Sequence, residues 1–281
     1  METLKTIILL GLLSVLLMSI GRYAGGVSGM WLMFGISLIM NLGAYFYSDK
    51  IALYSAGAKP LPPRYSFIKE TVKKLAKKAE LPMPKVYLSP GIQPNAFATG
   101  RNPRHSAIVV TEGLVKFLEK DEIKGVLAHE LSHIRNRDIL IATVAAVIAS
   151  AIMAIGGAVR WGTFFASSED NDRNPLAEIA IAVVAPIAAI IIQLAISRSR
   201  EFEADRSGAK LAGKGSGLAS ALQKIEEISR RVPAPEVNPA FANLYISSPF
   251  FSGEALGFVA RLFSTHPPVA ERVARLREIE Q

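Results

Sequence analysis

Apolar positions recur along this chain on three length scales, and each scale predicts a different kind of element. Of four long apolar runs, Val27–Tyr47, Ile139–Val159 and Leu176–Ile196 each have the length a helix needs to cross a bilayer core of about 30 Å, and Thr6–Gly21 is slightly shorter. Only a short turn around Arg22 separates the first two, which predicts a membrane hairpin. The alternative is a secretory leader, since Ser19-Ile20-Gly21 resembles a small-x-small cleavage site. Tyr45 and Tyr47 suit the interfacial end of the second run. Arg160 and Trp161 mark the far end of the third, and the fourth contains Glu178 near its start and Pro186 as a kink.

Helical spacing appears in Ser66–Glu80, where Ile68, Val72, Leu75, Ala76 and Ala79 share a face opposite a row of lysines. It appears again in Leu218–Ile228, and in a last helix carrying Val269, Val273 and Leu276 on one face. Three short extended pieces, Val86–Leu88, Asn95–Gly100 and Ala107–Val110, predict a small mixed sheet, and Thr111 is a cap for a helix over Glu112–Leu118. Asp121 and Glu122 open a further helix as an acidic first turn. Its apolar pattern runs through residue 134 and then, through Asp138, straight into the third long run. The prediction is a mainly α, α+β protein with four transmembrane helices and a small sheet. Its parts are a first hairpin over 1–48, a soluble part over 49–138, a second hairpin over 139–196 and a second soluble part over 197–281.

Composition supports membrane spans over one large core, since half the residues are hydrophobic and the mean hydropathy is +0.29. The net charge of +8 falls mostly beside apolar segments and on amphipathic helices. That favours a basic face near anionic lipid over nucleic-acid binding, because no basic stretch is interleaved with stacking aromatics. With no cysteine, disulfides and thiolate metal sites are excluded. Basic residues follow the second run and flank the others at Arg135, Arg137, Arg198 and Arg200, whereas the loop after Arg160 carries Glu169, Asp170 and Asp172. The positive-inside rule therefore places both soluble parts in the cytoplasm, with Arg22 as a weak dissent.

The candidate chemistry centres on His129-Glu130-Leu131-Ser132-His133. Residues four apart share a helical face, so both imidazoles can converge on one metal ion with Glu130 beside the fourth coordination position. In such a site the metal acidifies a water and the glutamate takes its proton. Two histidines do not complete a catalytic zinc site, and Glu201-Phe202-Glu203-Ala204-Asp205 begins where the fourth run ends. Glu201 and Asp205 share a face, so Glu201 is a candidate third ligand and Asp205 a candidate hydrogen-bond partner for a liganding imidazole. On residues alone Glu203 rivals Glu201, and a solvated acidic turn explains the stretch as well. Asn95, Ala96 and Phe97 are the candidate edge strand for holding substrate backbone, with an ordinary hairpin strand as the alternative.

H-E-L-S-H followed, two runs later, by E-F-E-A-D resembles the membrane zinc peptidase family of the HtpX heat-shock protease and the CAAX-prenyl endopeptidase. N-A-F-A-T-G at 95–100 and S-T-H-P-P at 264–268 match as well, and the likeness covers nearly the whole chain. The resemblance favours Glu201 over Glu203 as the metal ligand. It implies a zincin-like (gluzincin) catalytic domain with one Zn²⁺ per chain, and adds Asn95 and Arg272 to the residues around the site. His266 is expected either to donate to the oxyanion or to cap the last helix. The implied activity is internal peptide-bond hydrolysis in misfolded or surplus membrane proteins, with the bilayer as second partner and a homo-oligomer left open. The rivals are a non-catalytic zinc-binding membrane adaptor, a prenyl-protein-processing protease and a secreted or periplasmic protease. The 232–253 stretch, rich in Pro, Asn, Ser and aromatics, reads as a lid or substrate wall.

Overall fold

The computed structural model describes residues 2–149, 198–232, 244–246 and 267–279. Most of the 232–253 stretch, His266, the fourth apolar run and the far half of the third lie outside the described residues.

The first element, α1 (Glu2–Ser55), consists of two helical arms joined where Gly25 and Gly26 leave helical geometry. The arms lie antiparallel. Asn41 Nδ2 donates to Leu10 O (3.1 Å) and to Ser14 Oγ (2.9 Å), and a Cβ on Gly21 would come 2.3 Å from Gly29 O. Small residues that let two backbones touch, with a polar side chain bridging them, suit helices packed in lipid. The arm over Gly25–Ser55 is long and apolar enough to cross a membrane, whereas Thr6–Ser19 is a shorter apolar helix. The reversal thus falls three residues beyond Arg22, and the second arm continues past Asp49 and Lys50 to Ser55.

A four-stranded mixed sheet follows in the order β1-β2-β4-β3, where β1 is Lys59–Pro60, β2 Lys85–Ser89, β3 Ala96–Asn102 and β4 His105–Thr111. β2 and β4 are parallel and the other pairs antiparallel. The expected strands are all present, and β1 is an addition that its proline and its two-residue length concealed. The amphipathic helix α2 (Ser66–Lys78) buries Ile68, Val72, Leu75 and Ala76 as its spacing predicts. Thr111 caps α3 (Glu112–Phe117) by accepting a hydrogen bond from Leu114 N (3.1 Å). The expected mainly helical architecture with a small mixed sheet is the one observed.

At the centre lies α4 (Lys120–Asn136), which carries the H-E-x-x-H motif and is buried along most of its length. Glu119 and Glu122 form a capping box that satisfies amides of the first turn. Glu122 also accepts from Ser220 Oγ (2.6 Å) and Lys224 Nζ (3.0 Å) of α7 (Ser216–Arg231), which ties the two helices together. The α4 helix does not run straight into the third apolar run. Arg137 adopts a left-handed conformation (φ 63°), and Asp138 N donates back to His133 O (3.0 Å), a helix-ending reversal. A new helix, α5 (Ile139–Ala149), starts immediately after it. No glycine or proline marks this break, because an arginine takes the left-handed position at a cost of about 1 kcal/mol. The later elements α6 (Arg198–Ala212) and α8 (Val269–Glu278) complete the fold. α6 approaches α4 so closely that a Cβ on Gly208 would lie 2.9 Å from His129 N.

Candidate metal centre

The donor atoms of His129, His133 and Glu201 all lie within 4.8 Å of one another. The two Nε2 atoms are 3.1 Å apart, His133 Nε2 is 3.5 Å from Glu201 Oε1, and His129 Nε2 is 3.8 Å from Glu201 Oε2. Ligands at about 2.0–2.2 Å around a tetrahedral zinc are separated by about 3.3–3.6 Å, so the three donors outline one face of such a polyhedron. The local cause is plain. Four-residue spacing on α4 puts both imidazoles on one side, and the close contact at Gly208 brings the first turn of α6 opposite them. Glu203 is not part of this group; its Oε1 accepts from Ser207 Oγ (3.1 Å) on the exposed side of α6.

Each imidazole has a carboxylate behind it. Asp205 Oδ1 lies 2.9 Å from His129 Nδ1, and Asp138 Oδ2 lies 3.2 Å from His133 Nδ1. A carboxylate on Nδ1 fixes the tautomer that leaves the Nε2 lone pair aimed at the centre. Each carboxylate in turn meets an arginine. Arg272, fully buried, donates from Nε to Asp205 Oδ2 (2.8 Å) and from Nη2 to Asp205 Oδ1 (2.7 Å). Arg272 Nη1 is 3.7 Å from Glu201 Oε2, so it also balances the ligand carboxylate. The second arginine is looser, with Arg200 Nη1 3.9 Å from Asp138 Oδ1.

Charge states follow from these partners. Burial alone would raise Asp205, but the Arg272 charge and hydrogen bonds outweigh it and hold the carboxyl down at about 2. Burial alone would lower His133, but the hydrogen bond to Asp138 and the charges of Glu201 and Glu130 outweigh it and lift the imidazole to about 9. Glu130 is pushed up by burial, with Glu201 adding to the effect, while the two imidazoles and the Ala98 amide pull the other way.

Glu130 Oε2 accepts a hydrogen bond from Ala98 N (2.8 Å), which ties the glutamate to β3. β3 is the sheet edge, and the Ala98 amide points away from β4 toward the cleft. Because orientation alternates along an antiparallel strand, Ala96 also turns its backbone outward. The cleft in front is walled by Ala96, Phe97, Ile139, Leu244, Tyr245 and Ile246 around His129, Glu130 and His133.

Of the residues the sequence pointed to, His129, Glu130, His133, Glu201, Asp205 and Arg272 come together. Asn95 is adjacent but outside the cleft wall; its Nδ2 donates to Leu244 O (3.2 Å) and its Oδ1 accepts from Ile246 N (3.0 Å). Its amide thus clasps the 244–246 segment against β3. His266 lies outside the described residues. Sequence reasoning missed Asp138, Arg200 and Tyr245. For Asp138 a signal existed, since a carboxylate directly ahead of an apolar run is costly unless it has a partner.

Comparison with known proteins agrees with this geometry. Residues 63–280 match the model of peptidase family M48. A protease HtpX homolog of Pelotomaculum thermopropionicum is 50% identical over 281 residues, covering 98% of both chains. One from Pyrococcus furiosus is 48% identical over 278 residues, covering 98% of this chain and 95% of the other. The crystal structure of S. mikatae Ste24p shares the fold at 18% identity and a TM-score of 0.52, covering 98% of this chain and 64% of that one. The motif pair, the converging donors and this near-complete correspondence lead to one conclusion: the chain belongs to peptidase family M48 and is a membrane metalloprotease akin to the HtpX proteases.

Proposed function

We propose that this protein is a zinc-dependent endopeptidase of the gluzincin type that cleaves unfolded or surplus membrane proteins at the cytoplasmic face of the cell membrane. The observation that carries the reading is the 3.1, 3.5 and 3.8 Å spacing of three donors from two distant chain segments. His129, His133 and Glu201 are the residues that would hold the ion. Zinc bound there would polarise the scissile carbonyl and acidify a water.

The protein's own groups do the rest. Substrate backbone lies along the outward edge of β3 at Ala96, as an added strand, while the Ala98 amide stays on Glu130. Glu130, made more basic by burial, takes a proton as the water oxygen adds to the carbonyl carbon, and passes it to the amide nitrogen as the C–N bond breaks. Asp205 and Asp138 hold the imidazoles in one tautomer, and Arg272 keeps Asp205 ionised. His266 is assigned to the oxyanion on the family resemblance. The soluble parts over 49–138 and 197–281 are read as one catalytic domain interrupted by a second membrane hairpin over 139–196, which supports a multi-pass protein with four spans.

The test is Glu130→Gln, assayed for zinc content and for cleavage of an unfolded membrane protein. Retained zinc with cleavage reduced at least a hundredfold is expected, the usual scale of general-base catalysis. Full activity would remove Glu130 from the mechanism.

A further inference from the structure

The β3–β4 hairpin carries two cations that the peptidase chemistry does not use. Its base packs on α1, where Phe97 joins a cluster with Ala52 and Leu53. Its outer part runs back along α1 toward the apolar arm, and the Arg101 guanidinium sits 5.7 Å from the Phe46 ring centroid. From Ala52 to Phe46 the helix covers about 9 Å, and from Phe97 to Arg101 the strand covers about 13 Å, so the hairpin keeps pace with the helix. Beyond Arg101 the turn through Asn102, Pro103 and Arg104 continues in the same direction.

That direction leads to the bilayer. The arm over Gly25–Ser55 is apolar up to an aromatic cluster, Tyr45, Phe46 and Tyr47, followed by Asp49 and Lys50. A span begun at Gly26 reaches about 30 Å at Tyr45, the thickness of the hydrocarbon core, which places Phe46 at the interface. Arg101, stacked against that ring, therefore lies at headgroup depth, and exposed Arg104 lies next to it on the turn. Among the described residues neither arginine is ion-paired with an acidic side chain. The turn is held in shape, with His105 N donating to Asn102 Oδ1 (3.0 Å) and Ser106 Oγ to Pro103 O (2.9 Å). Guanidinium groups on a fixed turn match phosphate oxygens in pairs, which a neutral headgroup surface without net negative charge rewards less.

We propose that the tip of the β3–β4 hairpin docks on anionic phospholipid headgroups, with Arg101 and Arg104 as the phosphate-binding side chains. This seats the substrate-edge strand directly on the membrane surface. The proposal rests on α1 crossing the bilayer and not on the metal centre, so loss of peptidase activity in Glu130→Gln leaves it standing.

The experiment is native mass spectrometry of the full-length protein released from nanodiscs of mixed phosphatidylglycerol and phosphatidylcholine. Wild type should retain phosphatidylglycerol selectively, the more so at low salt. Each arginine-to-glutamine change should weaken that retention about fivefold, and Arg101→Gln/Arg104→Gln about 25-fold, the effect of one and two cations near an anionic surface. Zinc content and thermal midpoint should not change, and Arg101→Lys/Arg104→Lys should keep most of the binding. Equal retention of both lipids by wild type would overturn the proposal, as would a double glutamine variant that binds like wild type. Complete displacement of the lipid by inorganic phosphate would show an adventitious anion site and overturn it too.

Discussion

The two imidazoles of the centre are supported by the same sequence of groups, imidazole, carboxylate and guanidinium, built to different tolerances. Behind His129 everything is dry. The side chains of His129, Asp205 and Arg272 are 3%, 3% and 1% exposed, and Arg272 grips Asp205 through two bonds of 2.7 and 2.8 Å. Behind His133 the contacts loosen. His133, Asp138 and Arg200 are 15%, 10% and 16% exposed, and Arg200 stands 3.9 Å from Asp138. The first arrangement joins α4, α6 and α8 in the core, so it fixes the fold and the ligand together. The second sits at the break between α4 and α5 and borders the cleft, so it orients the ligand without carrying the fold. A buried charge pair resists the loss of one member, whereas a partly wet one can be trimmed.

The largest expected effect follows from breaking the dry side. Asp205→Ala strands the Arg272 guanidinium in the core and should cost about 3–5 kcal/mol, read as a large drop in the denaturation midpoint even with zinc in excess. A variant as stable as wild type would show that the pair is not buried as described. On the wet side Asp138→Ala should weaken zinc affinity about 10–100-fold, while in chelated protein above pH 9, where His133 is largely neutral, it should lower stability by no more than about 1 kcal/mol. A stability loss equal to that of Asp205→Ala would erase the distinction between the two sides.

Acid and base should separate them as well. Asp205 is held at about 2 against an ordinary 3.8, so its contribution is present above pH 3.8 and disappears as pH falls toward 2. His133 is lifted to about 9 from 6.5, so in chelator-treated protein its contribution is present below pH 6.5 and fades as pH rises through 9. Zinc binding needs the neutral imidazole, so zinc affinity should rise over that same window and binding should release a proton. Thermal midpoints of the chelated protein from pH 2 to 10, in wild type and Asp138→Ala, check both signs; the alkaline slope should become shallower in the variant without vanishing, because Glu201 and Glu130 still favour the charged imidazole.

What the sequence made legible was the chemistry carried by short spacings. His129, Glu130 and His133 share one helical face by arithmetic, and Glu201 and Asp205 are likewise four apart. Amphipathic α2 was readable because one face of it is buried, and β3 and β4 because short apolar runs buried on both faces lie between turn residues. Arg272 could not be found from spacing. It sits among Val269, Val273 and Leu276 on the buried face of α8, where pattern alone calls for an apolar residue, and only the family resemblance named it. Asp138 was hidden by the missing break, since an arginine in a left-handed conformation leaves no glycine to read. Asn95 stands beside the expected edge strand, but its use as a clasp for 244–246 depends on a contact 149 residues away.

Zinc X-ray absorption on the purified protein tests the central claim most directly. One ion per chain is expected, with two imidazole nitrogens at about 2.0–2.1 Å and carboxylate oxygen at about 2.0–2.2 Å, and loss of that carboxylate oxygen in Glu201→Ala. A spectrum with fewer than two imidazoles, or one unchanged by removing Glu201, would contradict it.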